Sequence, residues 1–172
     1  MTQAVLIPDT ILTVGLDYTL VIDSLPSYEK LYRWNSNFSR REPIVYKVVD
    51  GLDTTKPVFK KIPKEIKKSI VELGCGPEIF VVFECNVIDS SECLIKATVK
   101  SKKTGKETSY YVEPENGILN IGHGMCSGAF VFDEGDKYEI EFSIMDSSGN
   151  FNLWTGNRIK FTKPIYKSDV PR

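Results

Sequence analysis

The sequence predicts an all-β protein: an antiparallel β-sandwich with an additional β-rich segment at its N-terminus. Three observations predict it. Apolar residues alternate with period two along most segments, and no amphipathic helix of ten or more residues stands out. Several segments keep one wet face. In KYEIEFSIM, Tyr138, Ile140, Phe142 and Ile144 point one way and Lys137, Glu139, Glu141 and Ser143 the other, as in a half-buried antiparallel strand. Turn-forming clusters also recur at the short, regular intervals of a sandwich.

The elements follow in chain order. ILTV, YTLVI, KLYRW and PIVYKVV read as four short strands, with the polar loop NSNFSRRE among them. Residues 1–52 are therefore a β segment that precedes the sandwich or packs on it. About 50 residues is near the lower limit for folding alone, which favours packing. A boundary falls near VVDGLDTTKPVFKKIPK, residues 48–64, where Pro57 and Pro63 confine any strand to an edge. KEIKKSIVEL, residues 64–73, reads equally as a short helix or an edge strand. IFVVFEC, residues 79–85, is almost continuously apolar and suits a central strand covered more fully than the others.

SKKTGKE joins LIKATVK to TSYYVE in a predicted hairpin. PENG turns into ILNI, DEGD separates a strand AFVF from KYEIEF, and DSSGN precedes a closing strand NLWTGNRIKFTK. The sandwich is expected to span residues 53–166, with 167–172 a tail.

Composition sets limits on function. With 22 basic and 23 acidic residues the formal net charge is −1, so no global field draws the chain to nucleic acid or an anionic membrane. No apolar run approaches the roughly 20 residues of a membrane-spanning helix. MTQAVLIPDTILTV carries neither the basic region nor the cleavage site of a signal peptide, so an exported form is expected to have lost its targeting segment.

The four cysteines, Cys75, Cys85, Cys93 and Cys126, contain no C-x-x-C pair, which leaves their redox state open. GHGMCSGAF, residues 122–130, holds the single histidine, His123, close to Cys126. Gly124-Met125-Cys126-Ser127-Gly128 has the shape of a nucleophile elbow with sulfur for oxygen. An elbow needs a helix after the nucleophile and a histidine further downstream, whereas here strands follow and His123 precedes Cys126. A zinc site of His123, Cys126 and Cys75 lacks an evident fourth ligand. A thiol or zinc enzyme centred on Cys126 is thus the weakest reading, and no catalytic residue, cofactor or metal is expected.

From DTTKPVF through DSSGN to IKFTKP the chain resembles the immunoglobulin-like modules of bacterial surface and secreted proteins. Such modules open with a D-T-T-x-P linker strand and carry a G-x-x-Y-x-I-x-F strand ending in D-x-x-G-N. With GCGP and GHGMCSGAF added, the chain is similar to lipoprotein-like modules of Bacteroidota. The resemblance implies an immunoglobulin-like sandwich and an extracytoplasmic location: periplasmic, outer-membrane-anchored or secreted. It places Tyr138 at a tyrosine corner, whose phenol bonds back to upstream backbone. It carries over no catalytic residues, because such modules act as spacers, adhesion units or ligand binders. The chain departs from the antibody pattern in having no tryptophan on a central strand between paired cysteines.

In an oxidising compartment, Cys75 in GCGP and Cys126 in GMCSG are expected to form a disulfide, both lying in glycine-flanked loops that permit close approach. Cys85 and Cys93 flank NVIDSSE and either face one another across a hairpin or stay as small buried groups. Tyr32, Arg33 and Trp34, near Arg40 and Arg41, could stack a sugar or grip an acidic partner, and Trp154 could be a rim aromatic or a core residue. Asp133, Glu134 and Asp136 resemble a calcium loop in composition alone. The expected role is a non-enzymatic structural or binding module, monomeric, with a protein or glycan partner. The alternative is a carbohydrate- or peptide-binding domain using its loop aromatics.

Overall fold

The computed structural model describes residues 3, 5–22, 32–35, 40–51, 53–125, 128–133 and 135–165, with backbone alone at 32–35, 40 and 41. Among the described residues there is no helix, and every strand pairing is antiparallel. The protein is all-β. It divides into two compact units, Val5–Leu52 and Asp53–Arg172, the latter together with Met1–Ala4.

In the smaller unit, β1 (Asp17–Thr19), β2 (Tyr32–Asn35), β3 (Arg40–Pro43) and β4 (Val45–Lys47) form two separate pairs, β1 with β4 and β2 with β3. The expected strand ILTV does not form. Pairing with the β4 side begins only at Gly15, whose N–H donates to the Val48 carbonyl at 2.7 Å, and Ile11 is fully exposed.

In the larger unit, β5 (Val58–Phe59) comes first, then β6 (Lys64–Leu73), β7 (Gly76–Glu84), β8 (Val87–Ile88) and β9 (Cys93–Ser101). They are followed by β10 (Glu107–Val112), β11 (Ile118–His123), β12 (Lys137–Asp146), β13 (Phe151–Asn152) and β14 (Ile159–Thr162). One sheet has the order β11-β7-β6; a second has the order β10-β9-β12-β13, with β14 also on β12; β5 and β8 pair separately. KEIKKSIVEL is the strand β6, which among the described residues is an edge strand paired to β7 alone, irregular between Glu65 and Lys67. Its lysines and that irregularity are features that keep an open sheet edge from recruiting another strand.

The two larger sheets share one core. Val81 and Phe83 of β7 and Leu119 and Ile121 of β11 meet Ile95, Ala97 and Val99 of β9 and the inward residues of β12. The parity of KYEIEFSIM holds for Tyr138, Ile140, Phe142 and Ile144, all buried, but Ser143, expected on the wet face, is buried as well, its hydroxyl oxygen accepting the Trp154 N–H at 3.1 Å. The predicted hairpin is β9–β10, in register from Glu107↔Lys100 to Val112↔Ile95. Burying each such aliphatic or aromatic side chain stabilises the fold by about 1.5–3 kcal/mol.

Three local expectations are corrected. AFVF is a loop whose Phe130 and Phe132 insert into the core, 5.0 Å apart edge to face, both in edge contact with Tyr138. Alternation there comes from side-chain insertion, without a backbone ladder. NLWTGNRIKFTK is not one closing strand, because residues 153–158 form a loop between β13 and β14. Cys85 and Cys93 do not face across a hairpin: β7 and β9 belong to different sheets, Cys85 joins the core, and Cys93 packs against it. Both carry free thiols.

Tyr138, at the start of β12, has its hydroxyl 2.9 Å from the Gly135 carbonyl and 2.6 Å from Asp133 Oδ1, pinning the 133–135 loop to the core. This is the tyrosine corner, here with a carboxylate as second acceptor. The Tyr138 hydroxyl is the main cause holding the Asp133 carboxyl down at about 2. A depressed carboxyl stabilises the fold above its ordinary pKa and loses that contribution as pH falls from about 4 towards 2. Tyr138→Phe is therefore expected to cost about 2 kcal/mol at neutral pH. In urea unfolding the gap between variant and wild type should narrow below pH 4; a gap independent of pH would assign the loss to packing.

Candidate functional site

Three turns of the larger unit converge through short polar residues. Ahead of β5, Asp53 Oδ1 accepts the Thr55 N–H at 2.8 Å, the aspartate-turn geometry that D-T-T favours. After β8, Asp89 Oδ1 accepts the Ser91 N–H at 2.7 Å in the same kind of turn. At the end of β12, the two Asp146 oxygens accept the Asn150 N–H and Nδ2, each at 2.8 Å, which accounts for the aspartate and asparagine of DSSGN. The turns are then tied together. Ser90 and Ser91 hydroxyls donate to Asp53 Oδ2 at 3.2 and 3.0 Å, and Asn150 Nδ2 donates to the Asp53 carbonyl at 2.8 Å.

The result is three carboxylates, Asp53, Asp89 and Asp146, each with a ligand oxygen within 4.8 Å of the others. Asp146 is 3% exposed, while Asp53 and Asp89 are half-buried. Backbone and hydroxyl donors, led by the Thr55 N–H, hold the Asp53 carboxyl below its ordinary value. Beside this cluster lies a cleft of about 380 Å³ whose wall includes Cys85, Asp89, Glu92, Cys93, Glu113 and Gly117.

Chemistry at the two thiols is suppressed. Burial, with Cys93 alongside, pushes the Cys85 thiol up to about 12. Burial and then Asp89, Asp146 and Asp53 push Cys93 up to about 11. Since the thiolate is the nucleophile, both shifts disfavour nucleophilic chemistry at neutral pH.

The residues singled out from the sequence lie elsewhere. Cys75 is an exposed free thiol in the turn between β6 and β7. Cys126 lies outside the described residues. The neighbouring backbones are close: a Cβ built on Gly76 would stand 3.6 Å from the Met125 carbonyl oxygen. His123 ends β11, with Nδ1 3.0 Å from the Gly124 carbonyl oxygen. Gly122 and Gly128 of GHGMCSGAF serve close packing: a Cβ at Gly128 would stand 2.4 Å from that of His123, and one at Gly122 would strike Ile79.

Tyr32, Arg33 and Trp34 lie in β2, Trp34 opposite Arg41, and their side chains are outside the described set. Trp154 is taken up by packing, edge to face with Phe59 at 6.1 Å and Phe142 at 6.4 Å. Asp133 belongs to the tyrosine corner, and Glu134 lies outside the described residues.

Sequence reasoning missed Asp53, Asp89 and Asp146 as a group. The available signal was the triple recurrence of an aspartate followed by two small hydroxyl residues, in DTT, DSS and DSS. No family model, curated protein or solved structure matches the chain. The site has to be understood from its own geometry. Among the described residues, no helix is long and apolar enough to cross a membrane.

Proposed function

We propose that the chain is a non-enzymatic, extracytoplasmic structural or binding module of a cell-envelope or surface protein, built on an immunoglobulin-like sandwich over residues 53–166. The observation that carries this reading is the strand order combined with the tyrosine corner. With β6, β7 and β11 in one sheet and β9, β12 and β14 in the other, the chain changes sheet in the manner of an A-B-E and C-F-G sandwich; β10 is added beside β9. Tyr138 sits at the start of the strand that corresponds to F. Suppressed thiols at Cys85 and Cys93, and Trp154 packed against Phe59 and Phe142, support a scaffold over an enzyme.

Cys75 is a free thiol in the structure, and the Gly76 and Met125 backbones are in contact; the extracytoplasmic part of this reading predicts a Cys75–Cys126 bridge in the exported protein. A Cys75–Cys126 bridge would close a loop of about 50 residues and stabilise the fold by roughly 4 kcal/mol. Its test is intact-mass analysis of the natively produced protein, unfolded and alkylated without reductant. Two unlabelled cysteines, released by reduction and mapped to Cys75 and Cys126, are expected. Labelling of all four thiols would refute the bridge and count against an oxidising compartment.

A further inference from the structure

We propose that the open edge of β10 is a pairing surface for a second copy of this chain, joined antiparallel, β10 to β10, about a two-fold axis, and that the Gln3 side chain covers part of this edge in the single chain. Among the described residues β10 is bonded on one side only, to β9. The Ser101 N–H donates to the Lys106 carbonyl at 3.0 Å, so Lys106 and every second residue after it face β9, while Glu107, Ser109 and Tyr111 turn their N–H and C=O outward. Gln3 demonstrates that this side accepts a peptide-like group. Its Nε2 donates to the Tyr111 carbonyl and its Oε1 accepts the Tyr111 N–H, both at 2.7 Å, the two-point pairing that the backbone of a neighbouring strand makes. Glu107 and Ser109, further along the same edge, are exposed.

A comparison of edges supplies a separate argument. β6, at the edge of the β11-β7-β6 sheet, carries Lys64, Lys67 and Lys68 and a break in register, devices that repel an incoming strand. β10 has neither: ETSYYV contains no lysine or proline, and its register on β9 runs unbroken from Glu107 to Val112. Even, uncharged edges are the ones that recruit strands. The single charge on β10, at Glu107, is already matched by Arg158 Nη1 at 2.6 Å and Lys100 Nζ at 3.6 Å.

Charge and register select the occupant. With the two-fold at Ser109, that residue stands opposite itself and Glu107 stands opposite Tyr111, so each outward N–H and C=O of these residues finds a partner and no like charges meet. The Glu107 carboxylate is instead set beside a phenol that can donate to it. The second copy continues the β10-β9-β12 sheet across the axis, and because a two-fold uses up both edges, the assembly closes as a dimer without growing into a fibre. An interface confined to strand edges belongs to the small, weak class, and the need to displace Gln3 from Tyr111 weakens it further. The inference goes beyond the proposed compartment and role and depends on neither.

The experiment is sedimentation equilibrium of the full chain from about 10 μM to about 1 mM, the range in which weak interfaces associate. Gln3→Ala should dimerise with a Kd about tenfold below that of wild type, because two hydrogen bonds no longer compete for Tyr111. Added to Gln3→Ala, either Ser109→Lys or Ser109→Asp should weaken the dimer about fivefold by setting like charges opposite one another. An equimolar mixture of those two proteins should pair again, which only a register with residue 109 facing itself allows. Ser109 is exposed, so the fold should tolerate both changes. If either fails to fold, amide exchange of Gln3→Ala alone decides, with the Ser109 N–H expected to exchange more slowly as concentration rises. A Gln3→Ala protein that stays single up to about 1 mM, or that pairs no more tightly than wild type, would overturn the proposal. So would a mixture that pairs no better than its components, or a Ser109 exchange rate independent of concentration.

Discussion

Phe83→Ala is expected to destabilise the larger unit by about 3–5 kcal/mol. Phe83 is fully buried and is the ring that β7 inserts between the rings of the opposite sheet, 5.4 Å from Phe142 and 5.7 Å from Phe161, edge to face in both cases. Truncation removes the transfer energy of the ring, two favourable quadrupolar contacts, and the wall that two other side chains pack on. Against a total stability of about 5–15 kcal/mol, a loss of this size moves the urea midpoint far enough to expose the unfolded state. Val131→Ala, at a position 64% exposed in the adjoining loop, is the control and should change little. A Phe83→Ala loss below about 1 kcal/mol would mean that the two sheets do not share a core through this ring.

Gly122→Ala should be almost as severe, at about 3–5 kcal/mol, for a reason unrelated to burial. Gly122 lies in β11 opposite Phe80, with φ of +149°, and a Cβ there would stand 2.0 Å from the Ile79 carbonyl oxygen. Backbone cannot yield as the end of a side chain can. Relief requires β11 to move away from β7, breaking their ladder and displacing Leu119 and Ile121 from the core. Chemical denaturation and loss of amide protection along β11 would register the effect. Gly74→Ala is the matched control, since an added methyl there meets nothing within 4 Å. Equal stability of the two variants would show that the close approach at Gly122 is absent in solution.

These two expectations differ in how far the sequence foretells them. Burial of the KYEIEFSIM face follows from period-two patterning, because a strand that keeps lysine and glutamate wet must direct the alternate residues inward. The apolar run IFVVFEC likewise announced a central strand, and β7 is paired on both sides, by β6 and β11. The demand for glycine at 122 has no such local signature. It arises where β11 meets the carbonyl of a residue on β7, a contact that sequence distance conceals.

KEIKKSIVEL shows a middle case. Its residues allow a short helix or an edge strand, and only the available ladder on β7 decides between them, because strand preference depends on neighbours more than on the residue itself. The reverse occurs at AFVF, where alternating apolar residues have no ladder and Phe130 and Phe132 instead plug the core beside Tyr138. Patterning reports which side chains leave water. It does not report whether the backbone between them finds partners.

What the sequence determined alone was the local part: an all-β chain, the β9–β10 hairpin, the inward face of β12, and the tyrosine at its start. These follow from steric and solvation preferences that act over a few residues. The tertiary structure decided the rest, including the packing of Trp154 against Phe59 and Phe142, the burial that raises the thiols of Cys85 and Cys93, and the meeting of Asp53, Asp89 and Asp146. The physical reason is that each of these three aspartates satisfies its own turn with a local donor and would do so anywhere. Only the crossing of the chain between two sheets on a common core brings the turns within hydrogen-bonding distance of one another, and with them three like charges.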